Sequence, residues 1–289
     1  MIKVLHPGIY NTVQDQGRRG YAKMGIPTSG AMDDYAARLA NTMMRNRESD
    51  ALIEITMGQG KFQFMETTAF CLTGGDFSPN LDGELLETNR VYSAKEGAVL
   101  SFGRRNYGAI SYLAVPGGIR SDLVLKSRSF SRGITQDRLE REDDLKILPN
   151  QASPEQGYSR IRMKEEHYHS PTLPCFPGPE FNQLTESQKE RLFALFTLSR
   201  ERNRVGYRLN ETLENELNPI LTSAVIPGTV QLTPSGNLIV LMRDCQVSGG
   251  YPRVLQLSEN AISALSQKVS GDEMCFEVDQ QKNKKVLPR

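Results

Sequence analysis

The chain has 289 residues, of which 38% are hydrophobic and 24% charged, and Lys plus Arg total 35 against 34 Asp plus Glu, for a net charge of +1. That length can bury a sizeable core as one large domain or two ordinary ones, and near-neutrality removes the electrostatic case for nucleic acid or an anionic membrane. The 24 glycines and 15 prolines cut the chain into short pieces, which favours β structure with many turns.

The N-terminus reaches His6-Pro7-Gly8 without an apolar stretch of signal-peptide length. No clean apolar run is longer than Leu238 to Met242, which is too short to cross a bilayer. The expected compartment is the cytoplasm, and Cys71, Cys175, Cys245 and Cys275, with no Cys-x-x-Cys, read as reduced thiols that are mostly buried.

A helical repeat at Met32, Ala36, Leu39, Ala40 and Met43 follows Ser29. Period-two runs then predict strands at Leu52 to Thr56, Lys61 to Phe64, Ala69 to Thr73, Ala98 to Phe102 and Ala109 to Val115. From Pro149 to residue 180 prolines are dense and periodicity is lost, which marks a connection or domain edge. The predicted halves are 1–150 and 151–289. Thr185 with Gln188 makes a capping box ahead of Leu192, Leu195 and Phe196, and Ser258 can cap a short helix through Ile262 and Leu265. Further strands are expected at Asn237 to Met242, Val254 to Leu257 and Met274 to Val278. Pro7-Gly8 before Val13-Gln14 is echoed by Pro227-Gly228 before Val230-Gln231, a thin sign of duplication.

Two stretches carry more chemistry than a scaffold needs: residues 12–33, with Gln14, Asp15, Arg18, Ser29 and Asp33, and residues 227–252, with Gln231, Asp244 and Tyr251. Together they suggest one site built between two halves. Gly74-Gly75, Gly117-Gly118 and Gly249-Gly250 read either as tight turns or as nests of backbone N–H groups for an anion. Asp15, Asp33, Asp76 and Asp244 lie among glycines, where a carboxylate accepts turn N–H bonds or serves as a general base. Arg18 and Arg204 suit bidentate contact with a carboxylate or phosphate, and equally a structural ion pair. His167-Tyr168-His169 alternates, so both imidazoles could share one side of a strand; without a third ligand nearby, no metal is expected. There is no phosphate-loop motif and no Gly-x-Ser-x-Gly elbow. Lys126 to Ser129 and Lys282 to Lys285 read as solvated charge.

The segments Thr12-Val13-Gln14-Asp15 with Gly17-Arg18 and Gly20, Gly25-Ile26-Pro27, Ser29-Gly30-Ala31-Met32-Asp33, Leu72-Thr73-Gly74-Gly75-Asp76 and Ala114-Val115-Pro116-Gly117-Gly118 resemble one family. So do Arg204-Val205-Gly206-Tyr207-Arg208-Leu209, Pro227-Gly228-Thr229-Val230-Gln231, Asp244 and Gly249-Gly250-Tyr251-Pro252. That family includes the C component of 5-oxoprolinase, the allophanate hydrolase subunit 2 proteins and the carboxyltransferase region of urea carboxylases. The resemblance implies a mainly β fold with a few helices, as two cyclophilin-like β-barrel units with a cleft between them. It implies action with 5-oxoprolinase subunits A and B, in a complex that uses ATP to open the lactam of 5-oxoproline to glutamate. No metal or biotin is expected in this chain. The alternatives are a biotin-dependent carboxyltransferase module and a regulatory protein that binds a kinase-inhibitor-like partner; the sequence holds no Met-Lys-Met carrier motif. On this reading Asp15, Arg18 and Asp244 are catalytic. Gln14, Ser29, Asp33, Gly74, Gly75, Asp76, Gln231, Gly249, Gly250 and Tyr251 bind substrate, with the glycine amides as oxyanion donors. Two departures stand out. The family's usual Gly-Ser-Arg-Ser-Thr is Lys126-Ser127-Arg128-Ser129-Phe130 here, and the glycine-rich turn that follows becomes Gln136 to Asp144 with its glycines lost.

Overall fold

The computed structural model describes residues 1–148 and 166–279. The proline-rich run from Pro149, the boundary placed after residue 150 and the basic stretch Lys282 to Lys285 fall wholly or partly outside those residues. Contacts divide the chain into two compact units, Met1–Lys23 with Thr28–Tyr168, and Met24–Pro27 with His169–Arg289.

The first unit holds strands β1 (Ile2–His6), β2 (Thr12–Gln14), β3 (Leu52–Thr56), β4 (Lys61–Phe64), β5 (Thr68–Asp76), β6 (Asn80–Leu81), β7 (Glu84–Leu85), β8 (Arg90–Ala94), β9 (Val99–Ser101), β10 (Tyr107–Ala114) and β11 (Asp144–Leu145). They form two sheets, ordered β11-β1-β4-β9-β6-β7 and β2-β3-β10-β5-β8. Alternation in β1 and β4 sends Ile2, Val4, Phe62 and Phe64 inward, where they join Ile53, Ile55, Phe70, Leu72 and Leu113 in one core. Helix α1 (Asp34–Met43) turns Ala36, Ala37 and Ala40 inward; small residues let it lie close on β5, and the Thr73 hydroxyl donates to the Ala36 carbonyl at 2.8 Å. The helix starts at Asp33, whose carboxylate accepts from the Ala36 amide at 3.0 Å.

Gly74 and Gly75 are neither a turn nor a nest. They lie inside β5, where the pairing with β10 shifts register. Gly74 has φ +85°, and a Cβ there would stand 2.5 Å from the Ile110 carbonyl oxygen. Only glycine fits this bulge.

The second unit holds β12 (Thr172–Pro177), β13 (Phe196–Arg202), β14 (Gly206–Thr212), β15 (Ser223–Ala224), β16 (Thr229–Leu232), β17 (Asn237–Leu241), β18 (Ser248–Gly249), β19 (Arg253–Leu257) and β20 (Glu273–Val278). A closed barrel runs β12-β19-β16-β17-β14-β13-β20, and β15 with β18 forms a separate ribbon. Helices α3 (Glu186–Leu192) and α4 (Glu259–Ser266) belong to this unit, while the turn α2 (Glu166–His169) lies in the first unit as far as Tyr168. The Thr185–Gln188 capping box and the Ser258 cap form as expected.

Two sequence expectations change. The proline-rich stretch is not all connection: β12 pairs parallel with β20, because Leu173 and Cys175 alternate inward while Pro174 takes the opposite phase and Pro177 closes the strand at its exposed end. The segment His167-Tyr168-His169 is a helical turn rather than a strand, so the two imidazoles do not share a face. No helix among the described residues is long and apolar enough to cross a membrane.

All four cysteines are free, and Cys71, Cys175 and Cys245 are buried. Desolvation pushes each of those three thiols up to about 12. Iodoacetamide at about pH 8 should therefore label only the half-buried Cys275 in the native chain, and all four after unfolding. The same burial carries a pH sign. The unfolded thiols ionise near pH 8.5 while the native ones stay protonated, so stability should fall as pH rises above about 8.5. Labelling of two or more native thiols would contradict this packing.

Candidate functional site

Within the first unit, Asp15 follows β2 and ties distant segments together. Its Oδ1 accepts from the Gly17 amide at 2.8 Å, the Ser127 hydroxyl at 2.6 Å and the Ser129 hydroxyl at 2.7 Å. Its Oδ2 accepts from the Arg128 amide at 2.7 Å. The Asp15 amide in turn donates to the Ser129 hydroxyl oxygen at 3.0 Å. This carboxylate holds the Ser127-Arg128-Ser129 loop, the part of that motif matching the family pattern. Its lone pairs are committed to structure rather than offered to a reacting proton.

Arg18 is 1% exposed, and its guanidinium donates to the Ser129 carbonyl. It braces the same loop and does not present its fork at the surface. Ser29 adopts φ +57°, and its hydroxyl donates to the Ser131 hydroxyl oxygen at 3.0 Å. Gln14 is fully buried; its amide nitrogen donates to Thr12 Oγ1 and the Phe130 carbonyl, while its Oε1 is buried without a hydrogen-bond partner. Asp76 closes a turn, accepting from the Ser78 amide at 2.8 Å and the Asn106 side chain at 3.1 Å.

Beside this loop system stands a buried polar network that sequence reasoning did not assemble. Asp33 is fully buried. Its Oδ2 lies 2.7 Å from His167 Nε2, and its amide donates to the Tyr112 hydroxyl oxygen at 2.7 Å. Tyr112 donates to Glu54 Oε2 at 2.9 Å, and the Met32 amide donates to the same oxygen at 2.8 Å. Burial, with the Glu54 and Asp33 carboxylates nearby, lifts the Tyr112 phenol well above its ordinary range. Tyr168 donates to the Gly74 carbonyl at 2.8 Å, and desolvation raises its phenol too. Helix α2 thus anchors to two sequence-marked motifs, at Asp33 and Gly74. The period-two look of His167-Tyr168-His169 hid it, and no local pattern signals a partner 134 positions away.

A cavity of about 390 Å³ in the same unit is lined by Arg120, Arg128 and Lys146 together with Asp122, Asp143 and Asp144, among others. Phe130, Gln136, Asp143 and Asp144 of its wall come from the segments that depart from the family pattern. Asp143 is partly engaged, accepting from the Gln136 side chain and the Glu140 amide at 2.8 Å each. The cationic side chains suit a carboxylate or phosphate group.

In the second unit, Arg204 forks onto Asp244, Nε to Oδ2 at 2.7 Å and an Nη2 to Oδ1 at 3.1 Å, with side chains only 9% and 14% exposed. The Asp244 amide donates to the Arg204 carbonyl at 2.8 Å, so this is a doubly tied ion pair between the β13–β14 turn and the segment after β17. Gln231 sits in β16 at 2% exposure with its Nε2 lacking a hydrogen-bond partner; a Cβ on Gly249 would stand 2.6 Å from that nitrogen. Gly250 accepts from the Ile220 amide at 2.8 Å, and Tyr251 is 41% exposed. The structure therefore gathers Gln14, Asp15, Arg18 and Ser29 around one loop, Asp33 and Gly74 around helix α2, and Gln231 with Gly249 in the barrel unit.

The family profile described as carboxyltransferase domain, subdomain A and B, matches residues 24–278. The chain belongs to that family. It is 33% identical over 286 residues to the C component of the 5-oxoprolinase of Escherichia coli (strain K12), a match covering 96% of this chain and 90% of the relative. It is 31% identical to the C component of the 5-oxoprolinase of Haemophilus influenzae (strain ATCC 51907 / DSM 11121 / KW20 / Rd), covering 96% and 91%. Its fold superposes on the crystal structure of the Kluyveromyces lactis urea carboxylase with a TM-score of 0.85 at 24% identity, over 95% of this chain and 27% of that one.

Proposed function

We propose that the chain is the C component of an ATP-dependent 5-oxoprolinase, opening the lactam of 5-oxoproline to glutamate together with subunits A and B. The observation that carries this reading is the near end-to-end likeness to the 5-oxoprolinase C component, over 96% of this chain and 90% of the relative. A lactam amide is resonance-stabilised, so its opening needs activation, here by phosphoryl transfer from ATP. The sequence has no nucleotide loop to do that alone. A second reading, carboxyl transfer involving a biotin carried by a separate protein, is favoured by the family's carboxyltransferase description.

The test is reconstitution. The purified chain is assayed for ATP hydrolysis with and without 5-oxoproline, alone and with subunits A and B. Turnover that requires both 5-oxoproline and all three polypeptides supports the proposal. Robust turnover by the chain alone contradicts its dependence on partners, and an inactive three-component mixture shifts the balance to biotin-dependent carboxyl transfer.

A further inference from the structure

We propose that His167 is a catalytic proton acceptor whose tautomer is set by Asp33. A carboxylate can only accept, so the Asp33 oxygen 2.7 Å from His167 Nε2 places the imidazole proton on that nitrogen. The lone pair then sits on Nδ1. The imidazole side chain is 10% exposed while Asp33 is fully covered, and among the described residues no second hydrogen-bond partner meets the ring. A buried carboxylate behind a grazing-exposed imidazole is the arrangement that orients a general base.

The surroundings support the assignment. Tyr35, from the first turn of α1, packs on the ring at 5.3 Å between centroids, and Tyr168 meets it edge-on at 5.1 Å. These contacts fix the ring plane. Among the described residues, the titratable groups around it are Asp33 and Tyr35 from the α1 side, Glu166, Tyr168 and His169 from its own helix, with Tyr107 of β10 packed behind Tyr168 at 4.7 Å, and Tyr112 and Glu54 behind Asp33. Burial keeps the Tyr112 and Tyr168 phenols protonated, so neither competes as the base. Asp33 is a positioning residue with a second task, capping α1 through its other oxygen.

In the reaction, Nδ1 takes a proton from a bound water or from a ligand N–H or O–H, and the electron pair of the broken bond stays on that atom, which becomes the nucleophile. The imidazolium formed is stabilised by the Asp33 carboxylate and later returns the proton to the leaving atom. The ligand class is a small molecule with a weakly acidic N–H or O–H, or water attacking an activated acyl group. Only the activity readout below rests on the function proposed above.

The test uses Asp33→Asn and His167→Gln in the full chain. Asparagine caps a helix as well as aspartate, so the fold is kept. Its amide NH₂ faces Nε2, however, and forces the imidazole proton onto Nδ1. Nitrogen-15 spectra of the imidazoles, with His167 assigned by its loss in His167→Gln, should show the neutral ring with a bare Nδ1 in the wild-type chain and with a protonated Nδ1 in Asp33→Asn. In the three-component assay both variants should lose roughly 10²–10⁴-fold in turnover, and the acid limb of the kcat/KM profile should vanish in His167→Gln. A doubly protonated imidazole persisting to about pH 9 would show a fixed ion pair and overturn the proposal. So would full turnover by Asp33→Asn with its tautomer moved. If the wild-type mixture does not act on 5-oxoproline, the functional reading falls while the tautomer measurement still decides the dyad.

Discussion

Replacing Asp15 with alanine should lower the stability of the first unit by about 3 kcal/mol, an effect seated in residues 127–129. The carboxylate receives hydrogen bonds from the Gly17 and Arg128 amides and from the Ser127 and Ser129 hydroxyls. Bonds to a charged acceptor contribute about 1.5–3 kcal/mol each when taken singly. They are not additive here, because the serine hydroxyls can turn to other acceptors and Asp15 is partly reached by water. Alanine leaves two amides facing a gap. Asparagine should cost less, about 1.5 kcal/mol, because its oxygen can keep the three Oδ1 bonds and only the Arg128 amide then faces an N–H. For a unit of this size the alanine change corresponds to a drop of roughly 6–12 °C in its thermal midpoint. Calorimetry of the two variants checks this ordering. An Asp15→Ala chain with an unchanged midpoint would return Asp15 to the role of a free catalytic carboxylate.

The second large effect belongs to the barrel unit. Asp244→Ala removes the forked partner of Arg204, with both side chains nearly covered. Breaking one side of such a pair costs about 3–5 kcal/mol, because the remaining charge keeps its burial and loses its Asp244 fork. The low end applies, since the Arg204 carbonyl and the Asp244 amide stay bonded through the backbone. A double change, Arg204→Met with Asp244→Leu, should recover most of the loss, because two apolar groups need no pairing. Urea denaturation of the single and double variants reads this directly. Equal destabilisation in both would show that the ion pair is not what holds the β13–β14 turn.

Short-range patterns in the chain carry the strands well. Leu52–Thr56 and Lys61–Phe64 form where alternation places them, and Thr185, Gln188 and Ser258 cap the helices their spacing implies. These features depend on neighbours a few residues apart, which a linear reading sees. The site is different. Asp15 meets its serines 112 and 114 positions away, and Asp33 meets His167 134 positions away. Local reading marks Asp15, Arg18 and Asp244 as unusual but cannot tell a carboxylate that holds a loop from one that moves a proton. Nor does it show that Gly74 and Gly75 lie in a strand, because a bulge depends on the register of the neighbouring strand β10. His167 escapes notice because its alternation with Tyr168 and His169 imitates a strand, while its anchor lies in the Asp33 motif.

If the chain completes an ATP-dependent 5-oxoprolinase, His167 handles the proton there, Asp33 orients its ring and Asp15 holds the loop. The measurement that tests this most directly is 5-oxoproline-dependent ATP turnover by subunits A and B, supplemented in turn with the wild-type chain and with Asp33→Asn of equal thermal midpoint. Turnover is expected with the wild-type chain, and a loss of roughly 10²-fold or more with Asp33→Asn. Equal turnover from the two chains, or none from the wild-type mixture, would contradict it.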